Sequence, residues 1–419
     1  MNRVAIIVVS CLILAAPARA DVVVDWNVFT AQAIATAGST ARPSPANVFD
    51  YAMVHLAMHD AIQSIEGRFQ RYCVAAQNGS GSPIAAAAAA AHDVLVSLFP
   101  AQTATLDAAY DTYLADRGLT ANAGVVAGQQ AAACILDMRE GDGRYPANPE
   151  PFYGGTDPGE WRPTVFSGTP PLPVSMVTPW VATVTPFALK DPTQLRASPP
   201  PPHLTSGKYA KDYNEVKALG SLVNSARTPE QTDVAYFFSD NSILLWTRVL
   251  RSMTSTYLSD IGDSARLFAL TYMAVSDAYI TSWDSKKHWN FWRPITAIHE
   301  GDNDGNAETA GDPNWQPLIT TPNYPDYTSG ANVNSGAVTT MLANFFGTDE
   351  MTFSMTSNTP QVVQKTRTYQ RFSDAAADVV DARVYLGIHF RFADTVARRQ
   401  GSHSANWAFS HFLLPVGQN

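Results

Sequence analysis

Residues 264–298 read SARLFALTYMAVSDAYITSWDSKKHWNFWRPITAI, and this stretch carries both the fold class and the first part of a site. Its helical signals predict a helix over 264–283. Lys286 and Arg293 follow, seven residues apart, a spacing that on one helix brings both cations to nearly the same face. Pro294 disfavours helical geometry at Arg293, so we expect the second cation at or near a helix end.

Helical signals also dominate the rest of the chain, so we predict an all-α fold. Ser44 and Pro45 are typical of a helix start, and glycines follow several of the predicted ends. The proline-crowded segment 146–202 predicts a long ordered connection with little regular structure. Further helices are predicted at 45–65, 105–116, 121–138, 208–219, 230–253 and 333–346, and in a long segment from 361 to about 392.

The first twenty residues have the pattern of a secretory signal. Asn2-Arg3 precedes a nearly continuous apolar run, and Ala18-Arg19-Ala20 matches a signal-peptidase site. We therefore expect residues 1–20 to be removed and the protein to be exported, to the periplasm or the medium. The run is too short for a comfortable bilayer span, so no membrane anchor is expected.

The formal charge of the full chain is −9, and residues 1–20 contribute two arginines and no acid to it. An acidic protein repels nucleic acid and anionic membranes, so neither is an expected partner. A local group of cations on this background favours a small anionic ligand. Cys11 lies within the predicted signal, and Cys73 and Cys134 are compatible with one disulfide or with two buried thiols.

Two further pieces complete the candidate site. Ser329-Gly330 precedes a predicted helix, and a helix N-terminus with glycine lets backbone N–H groups approach an oxyanion. Arg383 and His389 lie six residues apart, about 120° around an ideal helix, so they meet only if the helix is irregular near Gly387. Taken singly, each piece is typical of a solvated surface pair, an ordinary helix cap or a core histidine.

The combined order and spacing closely resemble the signature of the vanadium-dependent haloperoxidases and the related acid phosphatases of the type 2 phosphatidic acid phosphatase superfamily. The flanking sequences NFWRPITAI at 290–298 and GIHFRF at 387–392 also resemble secreted or periplasmic bacterial members. The resemblance covers most of the chain after residue 20. Its three parts here are Lys286-x6-Arg293-Pro294, Ser329-Gly330 and Arg383-x5-His389.

The resemblance implies a helical fold of two four-helix-bundle-like halves, which we place at 21–202 and 203–419. It implies that His389 binds the vanadium of vanadate, or attacks phosphorus in a phosphatase. It further implies that the oxyanion is bound by Lys286, Arg293, Ser329, Gly330 and Arg383.

Two positions depart from the family pattern. The histidine that normally follows the Ser-Gly pair, and serves as acid–base group, is replaced by Ala331, with Asn332 next to it. Alanine cannot transfer a proton, so His288 and His299 are the candidates for a replacement acid. The carboxylate expected four residues after the histidine is Ala393, and Asp394 is rotated by about 100° from that direction.

Three functions are compatible with this pattern. The first is a vanadate-dependent haloperoxidase that oxidises a halide with hydrogen peroxide, attenuated by loss of the acid–base histidine. The second is a metal-free acid phosphatase that cleaves a phosphate ester through a phosphohistidine. The third is a protein that binds vanadate or phosphate without turnover. The pattern alone does not choose among the three, and it gives no oligomeric state.

Overall fold

The computed structural model describes residues 21–73 and 78–417, so the predicted signal at 1–20 lies outside the described residues. The all-α prediction is confirmed, because helices dominate and the described strands form only two short hairpins. The helices are α1 (Val22–Ala41), α2 (Val48–Glu66), α3 (Pro83–Leu98), α4 (Thr103–Ala115), α5 (Gly124–Met138), α6 (Gly207–Gly220), α7 (Pro229–Phe237), α8 (Ser242–Tyr257), α9 (Ile261–Trp289), α10 (Pro294–His299), α11 (Gly330–Phe346), α12 (Phe372–Tyr385) and α13 (Arg391–His411). The strands are β1 (Phe166–Ser167), β2 (Leu172–Pro173), β3 (Phe353–Thr356) and β4 (Thr366–Tyr369), paired antiparallel as β1–β2 and β3–β4.

The first helical group is built around α3, which packs against α2 and α5. Ser82 caps its N-terminus and Pro83 occupies the first turn, the usual arrangement for a helix start. Residues 85–91 are all alanine and all buried, and their small side chains allow the neighbouring helices to approach closely. The structure joins Cys73, beyond the end of α2, to Cys134 on α5 in a disulfide with a Cα–Cα distance of 6.2 Å.

Residues 146–202 have little regular structure, apart from the β1–β2 hairpin and one 3-10 turn at Pro179–Thr183, as the sequence predicts. One buried carboxylate fixes this connection to the helices. Asp277, on α9, accepts hydrogen bonds from three successive backbone N–H groups, those of Phe187, Ala188 and Leu189, at 2.6 to 2.8 Å. The connection is therefore ordered by α9 even though it has few backbone ladders of its own.

Helix α9 is the central element of the molecule. It packs against α2 on one side and against α11 and α13 on the other, and α12 completes the second bundle through α11 and α13. A continuous apolar core extends from Val22 to Leu413 through both helical groups. The predicted boundary between residues 202 and 203 falls in the loop before α6, and it stays a prediction.

Several helix limits differ from those predicted. The helix expected at 45–65 starts at Val48, after a cis Ser44-Pro45 bond. The helix expected at 230–253 is α7 and α8, separated where Asn241 caps the N-terminus of α8 through its side chain. The long segment expected from 361 to about 392 is instead β4, α12 and a loop.

Among the described residues, no single helix is long and apolar enough to cross a membrane. The pair Pro83–Leu98 and Pro100–Ala115 meets such a criterion only jointly, with a bend of 115° between them.

Candidate active site

Lys286 lies in the last turn of α9, and it is fully buried. Asn290, in the left-handed conformation with φ 44°, ends the helix by donating its N–H to the Lys286 carbonyl. The ammonium donates to two backbone carbonyls, those of Pro325 at 2.6 Å and Asp326 at 3.2 Å. It also lies 4.7 Å from the centre of the Tyr324 ring, a favourable position for a cation.

Arg293 is the residue before Pro294 and caps α10, so the helix boundary expected from the proline is confirmed. The chain leaves the α9 helix at Asn290, so convergence of the two cations results from this turn and not from one continuous helical face. The buried guanidinium donates from Nε to the Tyr324 carbonyl at 2.8 Å and from Nη1 to the Ile388 carbonyl. Its Nη2 has no hydrogen-bond partner among the described residues.

Arg383 and His389 do not share a helix. Arg383 lies in the last turn of α12, which ends at Tyr385, and Gly387 turns the chain with φ 76°. A Cβ at Gly387 would lie 2.4 Å from the Gly220 carbonyl oxygen, so only glycine fits this turn. The 120° offset expected for Arg383 and His389 on one continuous helix therefore does not apply. Arg383 donates to the Phe238 carbonyl at 3.3 Å, and its Nε is without a partner in residues 21–73 and 78–417.

Asp326 fixes the imidazole of His389. The His389 Nδ1 lies 2.7 Å from Asp326 Oδ1, and its Nε2 lies 3.0 Å from Nη1 of Arg293. Nη1 of Arg293 also lies 3.3 Å from Nδ1. We assign the proton to Nδ1 because Asp326 Oδ1 is its nearest partner, and Nε2 then accepts from the guanidinium, which only donates. In this tautomer Nε2 carries no proton, so its lone pair can bind a ligand.

The electrostatics of the cluster agree with a neutral histidine. Burial, followed by the charges of Arg293, Lys286 and Arg383, holds the pKa of His389 well below its usual value. Burial raises the pKa of Asp326 to about 7, against the lowering effect of Arg293 and Lys286. Burial and Arg293 also hold the pKa of Lys286 well below its usual value. The buried cations thus repel one another, and a bound anion would relieve that repulsion.

Ser329 and Gly330 form the N-terminus of α11, which begins three residues before the helix predicted at 333–346. The Ser329 side chain does not cap the helix; its hydroxyl is hydrogen-bonded to the Asp394 carboxylate and lies 3.4 Å from Asn332 Nδ2. A Cβ on Gly330 would lie 3.3 Å from the Trp283 ring and 3.5 Å from the Tyr279 ring. Glycine therefore leaves the space above the helix end open.

The second departure from the family pattern concerns the carboxylate that orients His389. Asp394 does not orient His389, because its carboxylate accepts from Asn332 Nδ2 at 2.8 Å at the start of α11. The carboxylate that does so is Asp326, which the sequence reasoning missed. Its position three residues before Ser329-Gly330, in a turn rich in proline, was the only signal that could have indicated it.

A cavity of about 150 Å³ lies beside the cluster. Arg383, Gly330 and Ala331 form its wall on the side of the cluster, so the substituted position faces open space. Tyr279, Trp283 and Tyr324 line it as well. Lys286, Arg293 and His389 are fully buried behind this wall.

Neither predicted replacement acid belongs to the cluster, and this corrects the sequence-based expectation. His288 is exposed on α9, with its ring packed edge-on against Trp289. His299 is tied to the Trp315 carbonyl through a 2.7 Å contact of its Nε2. Both residues flank the Lys286 and Arg293 segment in sequence, but His288 lies on the exposed side of α9 and His299 ends α10.

Comparison with known proteins places the cluster in a recognised domain. Residues 266–417 match the family model of the VCPO second helical-bundle domain. A vanadium chloroperoxidase of Curvularia inaequalis is 27% identical over 281 aligned residues, covering 52% of this chain and 45% of that protein. The chain thus spans about half the length of this curated relative.

Solved structures share the whole fold. A bacterial vanadium-dependent iodoperoxidase superposes with a TM-score of 0.77 at 22% identity, covering 93% of this chain and 97% of the other. A bacterial vanadium-dependent chloroperoxidase superposes with a TM-score of 0.69 at 16% identity, covering 89% and 93%. The residues matched by the family model, 266–417, include the three cations and the histidine of the cluster. The structural similarity extends over both helical bundles. The chain therefore shares the fold of bacterial vanadium haloperoxidases, and its residues 266–417 match the VCPO second helical-bundle domain.

Proposed function

We propose that this protein is a vanadate-dependent haloperoxidase. Hydrogen peroxide, a halide and one proton would give hypohalous acid and water. The single observation that supports this most strongly is the convergence of three buried cations, Lys286, Arg293 and Arg383, on the neutral imidazole of His389. Burying three cations costs free energy unless a bound anion compensates their charge.

The residues present fit vanadate. Arg293 Nη2 and Arg383 Nε are donors without partners in the described part of the chain, and each suits an equatorial oxygen of the oxyanion. The N-terminus of α11 adds the positive end of a helix dipole and the Ser329 hydroxyl. Bound there, vanadate would supply Lewis-acid activation of peroxide without a change of oxidation state.

The chain's own residues would bind, orient and exclude water. Lys286, Arg293 and Arg383 neutralise the oxyanion, and their fixed positions stabilise charge without rearrangement. Asp326 keeps the His389 Nε2 lone pair directed at the bound oxyanion. A carboxylate on the other ring nitrogen commonly orients a metal-binding histidine in this way. Nη1 of Arg293, now 3.0 Å from Nε2, would exchange that contact for an oxyanion oxygen.

A metal-free acid phosphatase is the second candidate. The same geometry supports it, because a neutral imidazole with a carboxylate on Nδ1 is an activated nucleophile for phosphorus. A protein that binds vanadate or phosphate without turnover is the third, supported by the alanine at position 331 in the cavity wall. Haloperoxidase and phosphatase chemistry use the same binding groups, so fold alone does not separate them.

Purified protein assayed with and without orthovanadate tests the proposal. Vanadate-dependent bromination of monochlorodimedone with hydrogen peroxide is the expected result, lost in His389→Ala and retained in His288→Ala. Cleavage of p-nitrophenyl phosphate that vanadate inhibits, without bromination, would replace the proposal by the phosphatase. Vanadate binding with neither reaction would leave only the oxyanion-binding protein.

We further propose that the protein is exported after removal of residues 1–20 and acts outside the cytoplasm on small molecules. The apolar run that ends in Ala18-Arg19-Ala20 supports this. The N-terminal sequence of protein recovered from a secreting host tests it, with Asp21 expected as the first residue.

A further inference from the structure

The cavity beside the cluster has few groups able to exchange a proton. Every reaction proposed above moves a proton at the bound oxyanion, and Ala331 cannot do so. The cavity wall holds one carboxyl group, Asp240, and two phenols, Tyr279 and Tyr324. None of the histidines in the described part of the chain lines it.

Two of these three groups are already committed to structure. The Asp240 carboxylate forms an ion pair with Arg248 and accepts the backbone N–H groups of Asn241 at 2.7 Å and Asn358 at 3.0 Å. A carboxylate with so many donors is anchored as an acceptor. The Tyr279 hydroxyl lies 3.2 Å from Ser242 Oγ, which pairs it within the wall.

Tyr324 differs from both. Its hydroxyl makes no hydrogen bond to another residue in 21–73 or 78–417, and the residue is only partly buried, as a group facing a cavity should be. Its ring centre lies 4.7 Å from the Lys286 ammonium and 4.7 Å from the Arg293 guanidinium carbon. Burial lowers the pKa of Arg383, and the nearby Tyr324 side chain opposes that shift, so Tyr324 lies within electrostatic range of the third cation.

The ring is fixed as well as close. It packs against Trp283 with centres 5.1 Å apart, and the backbone carbonyl of Tyr324 accepts from Arg293 Nε at 2.8 Å. A proton donor that is oriented by its own contacts with the binding groups needs little reorganisation during the reaction. The positive charges of Lys286 and Arg293, each 4.7 Å from the ring centre, would also offset the negative charge left on the ring after proton transfer.

We infer that Tyr324 is the acid–base residue of this site, in place of a histidine at position 331. This inference rests on the proposed function for the identity of the reaction, but not for the contact with the oxyanion. Tyr324 supplies its phenolic proton to the oxygen that leaves and recovers a proton afterwards.

The proton balance is simple for either reaction. In halide oxidation the O–O bond of hydrogen peroxide breaks, the halide loses two electrons to it, and the oxygen leaving as water takes the Tyr324 proton. Solvent then reprotonates the phenolate. In ester cleavage the bond from His389 Nε2 to phosphorus forms as the ester P–O bond breaks, and the leaving oxygen takes the same proton. The water that later releases phosphate returns a proton to Tyr324.

Three variants test the inference by steady-state kinetics. Tyr324→Phe should lower kcat about 10²-fold with a smaller change in KM, the loss expected for one general acid. Tyr279→Phe removes the other phenol of the same cavity and should cost much less. Adding Ala331→His to Tyr324→Phe should restore a large part of the lost kcat and move the alkaline limb of the pH profile to lower pH. This shift follows because an imidazole titrates well below a phenol.

A binding measurement without turnover distinguishes the inference from the proposed function. Sulfate added to the wild-type protein should perturb the tyrosine ultraviolet difference spectrum, and Tyr324→Phe should abolish that perturbation while Tyr279→Phe keeps it. Sulfate affinity should fall less than about tenfold in Tyr324→Phe, the loss of one neutral hydrogen bond.

Equal kcat in wild type and Tyr324→Phe, with an unchanged sulfate-induced spectrum, would overturn the inference while leaving vanadate-dependent bromination intact. An inactive wild type would refute the proposed function. In that case the spectrum alone decides, since a perturbation that survives in Tyr324→Phe overturns the contact and one that disappears supports it.

Discussion

At the residue scale, the decisive pair is Asp326 and His389. Sequence spacing directs attention to Asp394, which lies near the family position for the orienting carboxylate, yet the structure gives that carboxylate to Asn332. Asp326 reaches His389 Nδ1 because the turn before α11 folds back over the loop after α12. The five side chains proposed to bind the oxyanion were expected from the order of motifs that resembles the family signature. Asp326 was not expected, because only tertiary packing brings it to His389.

Replacing Asp326 with Asn should lower vanadate affinity or turnover by about 10- to 100-fold, the usual effect of losing the group that orients a ligand histidine. The nitrogen-15 shifts of the His389 ring should show loss of the Nδ1–H tautomer. Asp394→Asn is the matched control, because it changes an equally buried carboxylate. A tautomer that changes in Asp394→Asn and not in Asp326→Asn would contradict this assignment.

Lys286 should make oxyanion affinity depend on pH. Burial and Arg293 lower its pKa in the free protein, and a bound anion raises it, so binding takes up a proton between the two values. Affinity should therefore be constant below the lower pKa and decrease as pH rises above it. Sulfate is the suitable probe for calorimetry, since its own charge stays constant across the neutral range.

In that experiment Lys286→Met should weaken sulfate binding and remove its pH dependence. Lys287→Met removes the adjacent cation on the same turn of α9 and should preserve both. A pH dependence that is identical in wild type and Lys286→Met would show that another group titrates.

At the scale of single elements, the N-terminus of α11 is the part most sensitive to a small change. A methyl group at Gly330 would meet Trp283 at 3.3 Å and narrow the space at the helix end. Gly330→Ala should weaken oxyanion binding roughly tenfold, about the value of one charge-assisted hydrogen bond. Equilibrium titration with phosphate measures this.

Gly207→Ala is the matched control for Gly330→Ala. Gly207 also follows a serine N-cap and also begins a helix, α6, but a Cβ there meets no atom within 4 Å. Phosphate affinity should be unchanged in Gly207→Ala. Equal losses in the two variants would mean that glycine at a helix start matters for stability and not for the ligand.

Local sequence signals predicted the presence of helices better than the residues at which they begin and end. The capping residues and terminal glycines indicated most helices, but the break between α7 and α8 depends on the Asn241 side chain and its neighbour Asp240. The β3–β4 hairpin was missed because the apolar alternation of β3, Phe353 and Met355 with serine and threonine, spans only four residues, and three of the four residues of β4 are polar. The end of α12 depends on Gly387 meeting Gly220, a contact that no local window contains.

At the scale of the whole molecule, α9 connects the site to both bundles, and the disulfide stabilises the first of them. Cys73→Ser with Cys134→Ser should lower the free energy of unfolding by about 2 to 4 kcal/mol, because the unfolded chain loses a cross-link across 61 residues. Urea denaturation followed by circular dichroism measures the change. Phosphate affinity of the folded variant should be unaffected, and an equal unfolding free energy would contradict the cross-link.

The proposed site requires three cations and one neutral imidazole to bind a single oxyanion. A crystal structure of the protein with orthovanadate tests it most directly. Vanadium is expected within bonding distance of His389 Nε2, with Lys286, Arg293 and Arg383 donating to the oxygens of vanadate and Tyr324 on the cavity side. Vanadate bound elsewhere, or His389 separated from the three cations, would contradict it.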